Sequence, residues 1–179
     1  MGVERMDIVR IPSRYIFDRV VTITFMHQEK PLNLQRAIEI AAEAHREQTD
    51  KAGAPYLLHP LRVMISLETE DERIVGVLHD VVEDGPGWTF ERLEKEGFSP
   101  TVLDALRLVT KRPEDEGDSE AVYVAFVRRA KGNKIARRVK TADILDNLNA
   151  SRLTALTEKD MRRMNRYLAA LRELRDADA

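Results

Sequence analysis

The sequence predicts an all-α domain, and three observations carry that expectation. Beyond residue 30, apolar side chains recur at helical spacing, residues suited to N-caps head most of those stretches, and strand signals are absent. A length of 179 residues is that of one domain with a sizeable core, and no internal repeat or linker divides it. Residues 1–30 stand apart. Ile8-Val9-Arg10-Ile11-Pro12 and Val20-Val21-Thr22-Ile23-Thr24-Phe25 are short and β-branched. They read as an irregular arm, a small strand pair, or residues upstream of a start at Met26. Arg10, Arg14, Asp18 and Arg19 interrupt any stretch long enough to span a bilayer, and no signal-peptide pattern stands out. The domain proper is expected over residues 31–179.

The elements follow in order. Asn33 can cap a helix whose Leu34, Ala37, Ile38, Ala41 and Ala44 share a face, and Gly53-Ala54-Pro55 breaks it. A second helix is expected from about 60 to 67. A third runs from about 71 to the Gly85-Pro86-Gly87 stop. Thr89 and Ser99 suit caps for short helices over 90–96 and 100–110, and 111–118 reads as a polar loop. Ser119 opens another helix ending near Gly132. Helices over 134–149 and 158–175, the last opened by Thr157, complete the chain.

Composition narrows the function. There are 29 basic and 31 acidic side chains, a balance that gives no reason to expect a nucleic-acid or membrane-surface partner. The chain has no cysteine, which excludes disulfides and thiolate metal sites. A cytoplasmic location is the default expectation. The local basic run Arg128, Arg129, Lys131, Lys134, Arg137, Arg138 and Lys140 reads first as a solvated helix face, ahead of a functional patch. It also suits attraction of a small polyanionic substrate.

One segment carries chemistry. Within the apolar run 74–82, four ionisable groups stand at i, i+1, i+4 and i+5: His79, Asp80, Glu83 and Asp84. On an unbroken helix they form one block on a face that the surrounding Ile, Val and Leu require to be buried. Buried carboxylates need a compensating cation, and imidazole with carboxylate is a common donor set for a divalent metal. His45, His59 and Asp143 are further candidates, and the residues alone leave open which of them close the shell.

The ordered segments His59-Pro60, Leu78-His79-Asp80-Val81-Val82-Glu83-Asp84 and Lys140-Thr141-Ala142-Asp143-Ile144-Leu145-Asp146-Asn147-Leu148 resemble the motifs of HD-domain metal-dependent phosphohydrolases. Ala44-His45, Gln48, Lys51, Gly53, Pro55-Tyr56 and His59-Pro60 are similar to the hydrolase domain of RelA/SpoT homologues, a branch that includes stand-alone small alarmone hydrolases. The resemblance covers about residues 33–170. It implies an HD-type helical bundle and one divalent metal, most often Mn²⁺, held by His59, His79, Asp80 and Asp143. It places Glu83 and Asp84 on the attacking water, and Lys51, Tyr56, Asn147, Arg163 and Tyr167 on a nucleotide. The implied reaction is removal of the 3′-pyrophosphate from a (p)ppGpp- or (p)ppApp-like alarmone. The remaining residues leave no room for a synthetase domain, so hydrolysis is expected alone. Alternatives are a general HD phosphohydrolase acting on other nucleotides, NADPH included, and a degenerate nucleotide-binding module.

Three positions depart from the family pattern. Asp50 replaces the Arg of an Arg-Lys pair that stacks on the purine. Ile144 and Asp146 replace Arg and His of Asp-Arg-Leu-His-Asn. Gly85 replaces a Thr. The metal ligands are untouched, whereas recognition of guanine is altered, because an acid cannot replace a stacking guanidinium.

Overall fold

The computed structural model describes residues 33–175 apart from 118 and 154. The arm expected over residues 1–30 lies outside them. Among the described residues there are nine α-helical segments and no strand. They are α1 (Asn33–Ala44), α2 (Leu58–Ile65), α3 (Glu70–Leu78), α4 (Val81–Asp84), α5 (Phe90–Lys95), α6 (Pro100–Val109), α7 (Glu120–Arg128), α8 (Lys134–Asn147) and α9 (Glu158–Arg175). Short 3-10 turns occupy Pro113–Asp115 and Ala150–Arg152. No described helix is long and apolar enough to cross a membrane.

Helix α3 is the hub and packs against α1, α2, α6 and α8. Its Ile74, Val75, Val77 and Leu78 are buried on more than one side. The helix starts earlier than the apolar pattern suggests because Thr69 and Glu72 form a capping box. The Thr69 hydroxyl accepts from Glu72 N, and the Glu72 carboxylate accepts from Thr69 N. Gly76 lets α2 lie close, since a Cβ there would come within 2.6 Å of Leu67 Cδ1. Thr89 and Ser99 cap α5 and α6 as expected, each hydroxyl accepting a backbone N–H three residues on.

Two expectations need correction. The helix expected from 71 to 85 is broken: α3 ends at Leu78, and α4 starts again at Val81. Asp80 sits at φ −101°, ψ −3°, in the bridge region. His79 Nδ1 donates to Gly76 O at 2.8 Å, occupying the carbonyl that an unbroken helix offers to the Asp80 N–H. The second correction concerns the basic run, which is only partly a solvated face. Lys140 is 5% exposed and faces inward. Arg129 makes a bidentate pair with Asp115, both contacts 2.6 Å. Arg128 and Lys131 reach Glu173 from the surface at 3.0 and 3.3 Å.

The core has two parts joined through α8. Ala136 and Val139 of α8 enter the larger cluster around α1, α3 and α6. Ile144, two turns further on, enters the smaller cluster with Phe126, Val127, Ala170, Leu171 and Leu174. Helix α8 is thereby fixed on both sides, and the stretch from Lys140 to Asn147 faces the ends of α2 and α3.

Candidate metal centre and the cavities beside it

Three elements bring four donors together. The first turn of α2 carries His59, the break between α3 and α4 carries His79 and Asp80, and the middle of α8 carries Asp143. His79 Nε2 lies 3.1 Å from Asp80 Oδ2 and 3.7 Å from Asp143 Oδ1. His59 Nε2 lies 3.3 Å from Asp143 Oδ1 and 3.8 Å from Asp80 Oδ2. His59, His79 and Asp80 alone offer one donor atom each, all within 4.8 Å of one another. The break at residues 79–80 matters here. It turns consecutive side chains toward the same point, which an unbroken helix would splay about 100° apart.

The residues fit a divalent cation. His79 Nε2 is buried and, although Asp80 Oδ2 lies 3.1 Å away, makes no aligned hydrogen bond, and a buried polar atom left this way is costly. Each imidazole is oriented through its other nitrogen: His79 Nδ1 to Gly76 O, and His59 Nδ1 to Asp146 Oδ2 at 2.7 Å. Both Nε2 atoms are thereby aimed at the carboxylates, the usual arrangement behind a metal-binding imidazole. Two imidazoles and two carboxylates, with no thiolate, suit a first-row divalent ion.

The surroundings hold the carboxylates in place. Lys140 Nζ donates to Asp143 Oδ2 at 2.8 Å, and Asn147 Nδ2 donates to Asp143 Oδ1 at 2.6 Å. The Tyr56 hydroxyl donates to Asp80 Oδ2 in a very short contact. Burial and the Asp80 charge push the Tyr56 hydroxyl far up, so it stays a proton donor. Burial works against charge on Asp143, yet Lys140, His59 and His79 hold its carboxyl well below the usual range. For His79, burial pulls the imidazole down, and Asp80 and Asp143 override it, leaving it well above its ordinary value. The two carboxylates thus draw positive charge onto this point from Lys140 and the imidazoles.

The two expected water-handling carboxylates separate. Glu83 turns to Lys111, accepting from its backbone N at 2.7 Å and from Nζ at 3.0 Å. Asp84 is exposed and lines a polar cavity of about 560 Å³ with Asp80, Lys111, Tyr123, Lys140 and Arg166. Although the residue as a whole is exposed, partial desolvation of its carboxyl on the cavity side, with Asp80 and Glu83 nearby, raises the pKa of Asp84. All five expected substrate residues meet elsewhere. Lys51, Tyr56, Asn147, Arg163 and Tyr167 line a second cavity of about 320 Å³ with His59. The two cavities share Tyr56, His59, Asn147 and Tyr167, so both open on the cluster.

The departures from the family pattern acquire local reasons. Asp50 braces its own turn, accepting from Ala52 N at 2.9 Å and Ala54 N at 3.0 Å. Asp146 accepts from Arg62 Nε at 2.7 Å and Nη2 at 3.0 Å while orienting His59. At Gly85 a Cβ would lie 2.5 Å from Val81 O and 2.8 Å from Ala44 Cβ, so α4 docks on α1 only with glycine there. Sequence reasoning missed Lys140, Asp146 and Arg62 as parts of the site. Lys140 and Asp146 stand three residues either side of Asp143, a spacing that marks them as its helix neighbours. Lys111 reaches Glu83 from 28 residues away and has no local signal.

Fold and cluster together give an HD-type α-helical domain whose His/Asp cluster could hold a divalent metal. No model of a known protein family matches the chain. Over 121 residues, 64% of its length, it is 34% identical to a guanosine-3′,5′-bis(diphosphate) 3′-pyrophosphohydrolase of Aquifex aeolicus (strain VF5). Over 98 residues, 52% of its length, it is 36% identical to a putative GTP diphosphokinase RSH1, chloroplastic, of Arabidopsis thaliana. The chain spans only 17% and 11% of the length of these two relatives. A solved structure, described as a metazoan ortholog of SpoT that hydrolyzes ppGpp and plays a role in starvation responses, superposes with a TM-score of 0.68. That match is 26% identical and covers 81% of this chain and 86% of the other. In sequence and in fold the chain is similar to these RelA/SpoT-type proteins.

Proposed function

We propose that the chain hydrolyses the 3′-pyrophosphate of a (p)ppGpp- or (p)ppApp-like nucleotide, using one Mn²⁺ held by His59, His79, Asp80 and Asp143. The observation that carries this reading is the buried, unpartnered His79 Nε2 facing His59, Asp80 and Asp143 where two cavities meet. The likeness to 3′-pyrophosphohydrolases supports the reaction, and the two cavities bordering the cluster support this division of parts. A bound metal lowers the pKa of a water and polarises a phosphoryl oxygen.

The rest of the work belongs to side chains. The smaller cavity suits the nucleoside, with Tyr167 and Arg163 offering a ring and a guanidinium plane. Because Asp50 is committed to its turn, purine recognition falls to these two. The larger cavity presents Lys111, Lys140 and Arg166 to the phosphates. Asp84 borders that cavity with a raised proton affinity, which suits a group that takes a proton from the attacking water. Glu83 anchors Lys111 beside it.

The test is pyrophosphate release from ppGpp and pppApp, with Mn²⁺ and with chelator. Metal-dependent release from either substrate is expected. Asp84→Asn and Glu83→Gln are each expected to keep the metal and to lower kcat, by roughly 10²–10⁴-fold for the group that moves the proton. Absence of turnover on both nucleotides with Mn²⁺ bound would overturn the reading.

A further inference from the structure

A third cavity lies away from the metal-type centre. It is a groove of about 720 Å³ between α2, α8 and the end of α9, lined by Arg62, Lys134, Arg137, Arg138 and Arg175, with Asp146 the one carboxylate among its described lining residues. On α8, positions 134, 138, 141 and 145 fall on the face opposite 140, 143 and 147, so one helix serves both sites. Arg62 pairs with Asp146 and Arg138 with Glu68 and Glu72, so among the described residues five cations meet three carboxylates, a local excess of positive charge in a chain whose net charge is −2. Its apolar surface comes from Leu67, Ala142, Leu145 and Leu174, and Leu145 is 48% exposed. Glu68 and Glu72 flank it and engage Arg138 at 3.0 and 3.3 Å, which disfavours an extended polyanion such as RNA. A cleft of this volume with an apolar side and cations suits a small molecule with a base and phosphates.

We infer that this groove is a second nucleotide site, distinct from the substrate cavities, whose occupant acts on the metal-type centre through Arg62 and Asp146. The Arg62 guanidinium lines the groove, with its side chain 36% exposed, and makes the paired contact that fixes Asp146. Asp146 in turn orients His59. A phosphate drawn to Arg62 competes with Asp146 for that guanidinium, so occupancy of the groove is transmitted to the imidazole. This holds whether or not the chain hydrolyses an alarmone.

Calorimetry on the full chain in chelator tests the site, with ADP as probe and inorganic pyrophosphate as the phosphate-only control. Three chains are compared: wild type, Lys134→Glu/Arg137→Glu, and Lys51→Ala/Arg163→Ala, each checked for unchanged helix content. ADP is expected to bind wild type and the Lys51→Ala/Arg163→Ala chain alike, and at least about tenfold more weakly to the groove variant, the usual size of a lost charge-assisted contact. Pyrophosphate is expected to bind more weakly than ADP. In the Lys51→Ala/Arg163→Ala chain, ADP should also shift the NMR resonances of the His59 ring. No ADP binding, equal binding by pyrophosphate, or binding lost from the Lys51→Ala/Arg163→Ala chain and kept in the groove variant overturns the second site. A silent His59 overturns the link through Arg62.

Discussion

At the scale of single residues, Asp146 shows how a departure from a family pattern can be a substitution of one support for another. Burial works against charge on this carboxylate, yet His59 and Arg62 hold it well below the usual carboxylate range, so it is an anion. As an anion it fixes the His59 tautomer and ring plane. Asp146→Asn removes the charge while keeping the shape. Orienting groups of this kind are worth about 10–100-fold in metal affinity, and a loss of that size in Mn²⁺ affinity by calorimetry is expected. Unchanged affinity would mean that His59 is aimed by packing alone. The donors were legible in the sequence because an imidazole and carboxylates interrupt an apolar run. The role of Asp146 was not, because its partners His59 and Arg62 lie 87 and 84 residues away. The same limit hid the brace made by Asp50, whose use depends on the path of the 50–54 turn.

At the scale of elements, helix starts were readable and helix interruptions were not. Thr89, Ser99 and Thr157 announce their helices through local hydrogen bonds that the sequence itself encodes. The break at His79–Asp80 has no such announcement, since neither Gly nor Pro stands there and the apolar period runs through it. It follows from a side chain competing for a backbone carbonyl, with burial of the donors as the reason. The short α4 that results depends on Gly85. Alanine at this position gains about 0.4–1 kcal/mol by limiting the unfolded chain, since φ −92° and ψ 110° are open to any residue. Against this stands a Cβ 2.8 Å from Ala44 Cβ and 2.5 Å from a backbone oxygen, and such overpacking costs about 1–3 kcal/mol. The clash wins, so Gly85→Ala is expected to lower stability by urea titration and to shift Asp84. A variant more stable than wild type would show that α4 can move off α1 freely.

At the scale of the whole molecule, two kinds of tie join distant elements, and they respond differently to solution conditions. One is ionic. The Arg129 guanidinium, with the Arg112 backbone N–H, holds the nearly buried Asp115 carboxyl below its usual range, joining the 3-10 turn over Pro113–Asp115 to α7. A carboxyl depressed in the folded state contributes stability above its unfolded pKa of about 3.9, and that contribution fades as pH falls through the folded value. Asp115→Asn is therefore expected to cost about 1–3 kcal/mol at pH 7 and to converge on wild type once the pH has fallen below the folded-state value of Asp115, as read by urea midpoints. A gap that persists in acid would make the loss one of packing.

The other tie is the metal-type centre, which joins α2, the break between α3 and α4, and α8 at a single point. Their donors are far apart in the unfolded chain, so an ion that binds all of them binds only the folded state. Mn²⁺ at a hundred times its Kd then stabilises by about 2.7 kcal/mol. For a chain of this size that is roughly 5–10 °C in melting temperature. The rise is expected in wild type and in Glu83→Gln, whose side chain faces Lys111. It is expected to vanish in His79→Ala, which removes the unpartnered Nε2. Because each variant is compared with itself, with and without Mn²⁺, any cost of the substitution to the fold cancels. A rise that survives His79→Ala would place the ion elsewhere, and its loss in Glu83→Gln would bring that carboxylate into the coordination shell.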